Sequence, residues 1–220
     1  MNDLTLLIPA KIEKESLPLV LKEIENYNLK KLVVMEKDDE ETFNAIKNYE
    51  CDILFQKNKG YGAALIEGIN NINSKYLCIF NADGSFDPKE LEKMYIKCKS
   101  NRFVFGTRYN DDSGSDDDTI LTLIGNKTFS FIGNLFFKLK LNDILYTYIL
   151  GETKSFKELN LTQLDFRICV EIPLNISKQK FTYVTNSSFE RARFKGEKKV
   201  SEFKDGFKIL MYIIKRIFSK

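Results

Sequence analysis

A chain of 220 residues can fill one hydrophobic core, while a second full domain would be cramped. Its formal charge of +3, with 30% of residues charged, is close to balance and argues against a nucleic-acid partner. Histidine is absent, which excludes a Ser/His/Asp hydrolase, a His-ligated metal and a histidine general base; chemistry here must use carboxylates, Lys/Arg, a metal or a substrate that brings its own nucleophile.

Residues 4–8 read as a strand, and Leu17, Val20, Leu21 and Ile24 then fall on one helical face. A strand at 32–35, a helix at 42–47, a strand at 53–55, a helix at 62–72 and a strand at 76–80 follow. Pro88 suits the first turn of a helix at 88–98, whose Leu91, Met94, Tyr95 and Cys98 share a face, and 103–105 closes the series as a strand. This alternation implies an α/β fold with a mostly parallel sheet, helices on both faces, and ligands at the carboxyl ends of the strands. The acidic run at 111–118 cannot pack a core and is expected to be a mobile loop. Residues 119–141 suggest one long or two short amphipathic helices; 143–151 and 181–187 look like strands, with a helix near 166–172. The last segment, 203–218, sets Phe207, Leu210, Met211, Ile214 and Phe218 against Lys204, Lys208, Lys215 and Arg216, a basic amphipathic helix. We therefore expect a main domain at 1–200 and a helical appendage at 201–220.

Cys51, Cys78, Cys98 and Cys169 are widely spaced with no CxxC pair, as expected of reduced thiols in a cytosolic protein. No basic region precedes the first apolar run, so no signal peptide is expected. No uninterrupted apolar stretch approaches the roughly 18 residues of a spanning helix. These features suggest a cytoplasmic protein, held at most on the inner face of a membrane.

The densest information lies at 58–88. After the strand at 76–80, Asn81 and Asp83 place two oxygen-bearing side chains on one side of an extended segment. Such a pair suits a hard divalent cation, Mg²⁺ or Mn²⁺, which is held by one or two carboxylates while phosphate and water complete its shell. That points to a nucleoside diphosphate. Asn58, Gly60, Tyr61, Gly62, Ala63 and Ala64, followed by Gly68, resemble the NxGyGxAxxxG segment of family 2 glycosyltransferases, above all the dolichol- or polyprenyl-phosphate mannosyltransferase-like branch. Asn81, Ala82 and Asp83 stand where that family carries its metal-binding DAD, with an amide in place of the first carboxylate.

The resemblance extends over most of the chain and implies a GT-A (Rossmann-like) fold. Pro9, Ala10 and Glu13 are similar to the PAxNE opening, with Ile12 where Asn is usual; Glu36 follows the second strand, where Met35 replaces an Asp. Gly106, Thr107 and Arg108 look like the GSR after the fifth strand, and Asp143 corresponds to the acidic residue before the acceptor segment. Arg193, Gly196 and Lys199 match an RxxGxSK segment, and Glu171 an acidic position in a late helix. The resemblance implies an inverting transferase that moves a sugar from a nucleotide-sugar donor to a lipid-phosphate or glycan acceptor. Pro9, Ala10, Glu13, Glu36, Asn58, Gly60, Gly62, Asn81 and Ala82 would hold the donor, Asn81 and Asp83 the metal, and Arg108, Arg193 and Lys199 phosphates; Asp83, Asp143 and Arg108 would carry the chemistry. Two alternatives stay open: a sugar-to-sugar transferase of capsule or envelope polysaccharide synthesis, with Asp143 as base, and a non-catalytic nucleotide-binding member. Peripheral membrane contact would come from the 207–218 face and the Phe-rich stretch at 129–137.

Overall fold

The computed structural model describes residues 1–110 and 113–219. Its main sheet has seven strands in the order β3-β2-β1-β4-β7-β5-β8. They are β1 (Leu4–Ala10), β2 (Lys30–Met35), β3 (Asp52–Phe55), β4 (Tyr76–Ile79), β5 (Phe103–Thr107), β7 (Ile149–Glu152) and β8 (Tyr183–Ser187). All pairings are parallel except those of β7, which runs antiparallel between β4 and β5. A second, two-residue pair joins β6 (Gly114–Ser115) to β9 (Phe189–Glu190).

Both faces of the sheet are covered, and β1 shows why. Leu4, Leu6 and Ile8 point into one core cluster, which includes Leu17, Val20 and Leu21 of α1 (Leu17–Glu23), Ile46 of α2 (Glu40–Ile46) and Leu91 and Met94 of α4 (Leu91–Cys98). Leu7 points into the other, with Leu65 and Ile69 of α3 (Tyr61–Asn71), Phe156 of α6 (Thr153–Glu158), Ile172 of α7 (Ile168–Lys178) and Phe129 of α5 (Ile120–Phe137). A strand buried on both faces has no polar side, so its sequence reads as a continuous apolar run. The carboxyl ends of β1 and β4, where chain order along the sheet reverses, open a crevice of the kind that binds ligands in such sheets.

Several expectations shift. The strand expected at 143–151 starts only at Ile149 and runs to Glu152; residues 140–148 form no strand, and Tyr146 and Thr147 among them line the cavity described below. The helix expected at 166–172 continues through Pro173 to Lys178. Residues 119–141 form one 18-residue helix, α5, long and apolar enough by length and composition to cross a membrane although Asn126, Lys127 and Asn134 interrupt its sequence. Asn126, Phe129, Ser130 and Gly133 of α5 are buried against the protein. The C-terminal helix α8 (Glu202–Phe218) buries Ile209 and Ile213 in the same core cluster as Phe129, so it packs on the domain rather than standing apart.

Part of the expected mobile loop, Asp111 and Asp112, lies outside the described residues. The rest is tied down. Asp116 N donates to Glu190 O at 2.9 Å, and Ser115 Oγ accepts from the Asp117 and Asp118 amides at 3.1 and 3.0 Å.

Candidate active site

A cavity of about 770 Å³ opens at the carboxyl ends of β1, β2, β4 and β5. Most of the residues singled out from the sequence line it: Pro9, Ala10, Glu13, Glu36, Gly60, Asn81, Ala82, Asp83, Arg108, Arg193 and Lys199. Asn58, Gly62 and Asp143 do not.

The metal candidates sit just past β4, in a turn rather than an extended segment. Asp83 Oδ1 accepts from the Ser85 amide at 3.0 Å and the Ser85 hydroxyl at 2.7 Å, and Asn81 Nδ2 donates to that hydroxyl at 3.1 Å. Asp83 Oδ2, 3.9 Å from Arg193 Nη1, and Asn81 Oδ1 accept no hydrogen bond among the described residues. Two oxygens are thus available to a hard cation. No group of three or more Cys, Asp or Glu that could hold a metal occurs among the described residues, so the protein offers a partial shell that substrate oxygens and water must complete. Mg²⁺ and Mn²⁺ accept such a shell, and the residues fit.

Glu13 and Glu36 lie beyond the ends of β1 and β2. Ser16 donates to Glu13 Oε2 at 2.5 Å and Lys199 Nζ stands 3.8 Å from Oε1; burial still pushes the Glu13 carboxyl up, against the Ser16 hydrogen bond and the Lys199 charge. Glu36 pairs with Lys11 at 3.0 Å and Lys59 at 3.4 Å.

The glycine-rich turn has a different use from the one expected. Gly60 has φ +121°, and a Cβ there would lie 2.3 Å from the Leu164 carbonyl oxygen; at Gly62 it would lie 2.1 Å from that of Gln163. Both glycines therefore admit the chain's own 163–165 segment, and the α3 amide of Ala63 donates to Leu164 O at 3.0 Å. That helix terminus is already partly satisfied by protein. Asn58 also serves the fold, its amide and side chain both donating to Glu67 Oε1. Glu171 acts likewise, accepting from the Thr162 and Gln163 amides.

Arg108 and Asp143 form a buried knot. The guanidinium grips Asp143 at 2.7 and 2.8 Å, donates to Glu190 at 2.7 Å and to Asp118 at 3.0 Å, and lies over the Tyr146 ring. Asp143, 1% exposed, also accepts from Asn126 and from the Arg108 amide. With both oxygens engaged and no surface on the cavity, Asp143 is not placed to take a proton from a substrate. Arg108, expected to face a phosphate, has Nε, Nη1 and Nη2 committed to carboxylates. Burial pushes the Glu190 carboxyl up, although the Arg108 charge and hydrogen bonds from Ser115 and Arg108 pull the other way.

Three site residues escaped the sequence reading. Arg191 binds Glu23 through two bonds of 2.6 and 2.9 Å and donates to Gly84 O and Phe86 O, while the Arg191 and Phe194 amides donate to Ser85 O and Asp83 O. This zips residues 191–194 onto the metal-site turn and sets Arg193 beside Asp83. Arg191 itself stays outside the cavity lining, whereas Lys198 and Asp117 line it and pair with each other there. The one available signal was charge: an acidic run at 116–118 and a basic run at 191–199 in a chain of near-zero net charge.

The family model for glycosyl transferase family 2 matches residues 5–159. The chain belongs to this family. Uncharacterized glycosyltransferases of Mycobacterium bovis and Mycobacterium tuberculosis are 29% identical to it over 90 residues, a match covering 41% of this chain and 41% of each relative. Among solved structures, glucosyl-3-phosphoglycerate synthase from Mycobacterium tuberculosis, in complex with Mn²⁺, uridine diphosphate and phosphoglyceric acid, superposes with a TM-score of 0.76 at 11% identity, over 97% of this chain and 78% of that one. Mannosyl-3-phosphoglycerate synthase from Rubrobacter xylanophilus gives 0.69 at 14% identity, over 98% and 72%. At these identities the likeness establishes the GT-A fold of this family 2 glycosyltransferase.

Proposed function

We propose that this glycosyltransferase moves a sugar, with inversion, from a nucleoside-diphosphate sugar to the phosphate of a polyprenyl-type lipid at a membrane surface. The observation that carries the reading is the cavity's mixed lining. Glu13, Glu36, Asp83, Arg193 and Lys199 supply charge, while Leu121 and Phe129 of α5, Leu145, and Phe203, Phe207 and Leu210 of α8 supply apolar surface. An amphiphilic acceptor matches both.

Asp83, with Asn81, would hold the divalent cation. When bound, Mg²⁺ or Mn²⁺ neutralises charge on the leaving diphosphate as a Lewis acid. Glu36 and Glu13 line the donor side, while Arg193 and Lys199 orient phosphate by charge-assisted hydrogen bonds. A phosphate oxygen is ionised near neutral pH and needs no base, in keeping with the absence of histidine and the enclosure of Asp143. A sugar-hydroxyl acceptor would need a carboxylate to remove its proton. Residues 1–200 would carry the chemistry. Ile124, Phe131 and Leu135 of α5 and Phe203, Phe207 and Phe218 of α8 are exposed and suit the headgroup region of a membrane's inner face.

Two structural neighbours carry phosphoglycerate in their names, and a small phosphorylated acceptor would satisfy the charged lining residues alone. A transfer assay with labelled nucleotide sugar and Mn²⁺, offering polyprenyl phosphate in one tube and 3-phosphoglycerate in another, decides. We expect label in butanol-extractable lipid, abolished by Asp83→Ala and retained or raised by Asn81→Asp. Label in phosphoglycerate would make the acceptor small, and transfer surviving Asp83→Ala would remove Asp83 from the donor site.

A further inference from the structure

Arg193 and Lys198 are neutralised by a carboxylate from the chain itself. Arg193 Nη2 donates to Asp117 Oδ2 at 2.8 Å and Nε to Oδ1 at 3.3 Å, the two-point grip with which a guanidinium holds a carboxylate or a phosphate. Lys198 Nζ donates to the Asp117 carbonyl at 2.6 Å and stands 3.5 Å from Oδ2. Burial pushes the Asp117 carboxyl up, but hydrogen bonding and charge from Arg193, with the Lys198 charge, outweigh it and hold it below the usual range. All three side chains line the cavity that contains Asp83.

We infer that Arg193 and Lys198 form an anion subsite for which Asp117 competes with a substrate phosphate, so that phosphate binding and withdrawal of the Asp117 carboxylate are one event. This rests on the reading of the cavity as a phosphate-handling transferase site, and names how that site is regulated.

The two partners differ in how they are held. The basic segment is fixed by Arg191 on Glu23 and by its amides on the Asp83 turn. The Asp117 backbone is held by the ladder of Gly114–Ser115 on Phe189–Glu190, by a serine-centred turn and by Asp118 on Arg108, whereas its carboxylate meets only Arg193 and Lys198 among the described residues. When the pair opens, the Asp117 side chain swings away and both backbones stay in place. A phosphate brings more charge than a carboxylate and more acceptor oxygens, so it displaces Asp117 once present. The cost appears as weakened apparent affinity, because only the open fraction binds.

The test is calorimetric titration of the full chain with three probes: uridine diphosphate with Mn²⁺, inorganic phosphate, and a short-chain isoprenyl monophosphate. Asp117→Asn keeps the side chain's shape and removes its charge; Asp116→Asn removes the same charge from an exposed neighbour that holds no ion pair among the described residues. We expect Asp117→Asn to tighten at least one probe by about fivefold or more, Asp116→Asn to change little, and Arg193→Ala in the Asp117→Asn background to abolish the gain. Tightening of uridine diphosphate alone assigns the subsite to the donor, and of the isoprenyl phosphate alone to the acceptor. Unchanged or weaker binding of all three by a folded Asp117→Asn chain overturns the inference. If Arg193→Ala still weakens binding then, the phosphate-site reading survives; if it does not, both fall.

Discussion

Arg108 and Arg193 both matched motif positions that imply phosphate contact, and their surroundings divide them. Arg108, 7% exposed, spends Nε, Nη1 and Nη2 on three carboxylates from three separate stretches of chain. Arg193 is half-buried, spends Nε and Nη2 on the single carboxylate of Asp117, and keeps Nη1 facing Asp83 across 3.9 Å. A guanidinium enclosed by several carboxylates is a structural rivet, because moving it would strand buried charge. One with a single, partly exposed partner can exchange that partner for a ligand. Residue type and motif position chose both arginines; the count and burial of counterions separate their roles.

The sharpest way to break the comparison is Arg108→Ala. It leaves Asp143 and Glu190 buried without their cation, and removing one member of a buried ion cluster costs about 3–5 kcal/mol. We expect the variant to lose that much stability in urea at neutral pH or to fail to fold. An unchanged midpoint would mean that Arg108 is as exchangeable as Arg193.

Arg193→Ala should behave oppositely. Loss of one charge-assisted phosphate contact in a partly dehydrated site costs about 1.5–3 kcal/mol, roughly tenfold to more than a hundredfold in kcat/KM. Its ion pair with Asp117 is partly exposed, and such pairs contribute about 1 kcal/mol or less to stability. Steady-state kinetics beside a melting curve should therefore show activity falling steeply while the melting temperature hardly moves. A large loss of stability with intact kcat/KM would place Arg193 among the rivets.

The alternating strands and helices were legible because strands buried on both faces read as short continuous apolar runs, while helices packed on one side keep a period-3.6 apolar spacing. Pro88, opening the turn before α4, was likewise a local signal. What the sequence hid is long-range. Gly60 and Gly62 matched a donor-binding motif, yet what demands them is the carbonyl oxygens of residues 163 and 164, a contact that no local pattern encodes. Asp143 looked like a base for want of any view of Arg108 and Asn126 around it. Asp117 looked like part of a solvated acidic loop because its partners lie more than seventy positions away.

The finest test of the comparison uses pH on the buried knot. Glu190 sits under two opposing influences: burial raises its pKa above the ordinary 4.5, and Arg108, with Ser115, lowers it, burial winning. A carboxyl whose folded pKa is raised binds its proton more tightly in the native state than in the unfolded one. It therefore contributes stability that is fully present below the unfolded pKa and is lost as pH rises through the folded pKa. Glu190→Gln has no such titration, so the difference between the two proteins reports the Glu190 carboxyl together with its coupling to Arg108 and Asp118. The stability difference, wild type minus Glu190→Gln, should grow in favour of wild type between pH 8 and pH 4.5, measured by urea unfolding at each pH. Were it to shrink on acidification, Arg108 would be outweighing burial at Glu190. Charge attraction would then hold Glu190 in the knot more strongly than burial opposes it, the reverse of one guanidinium shared among three carboxylates.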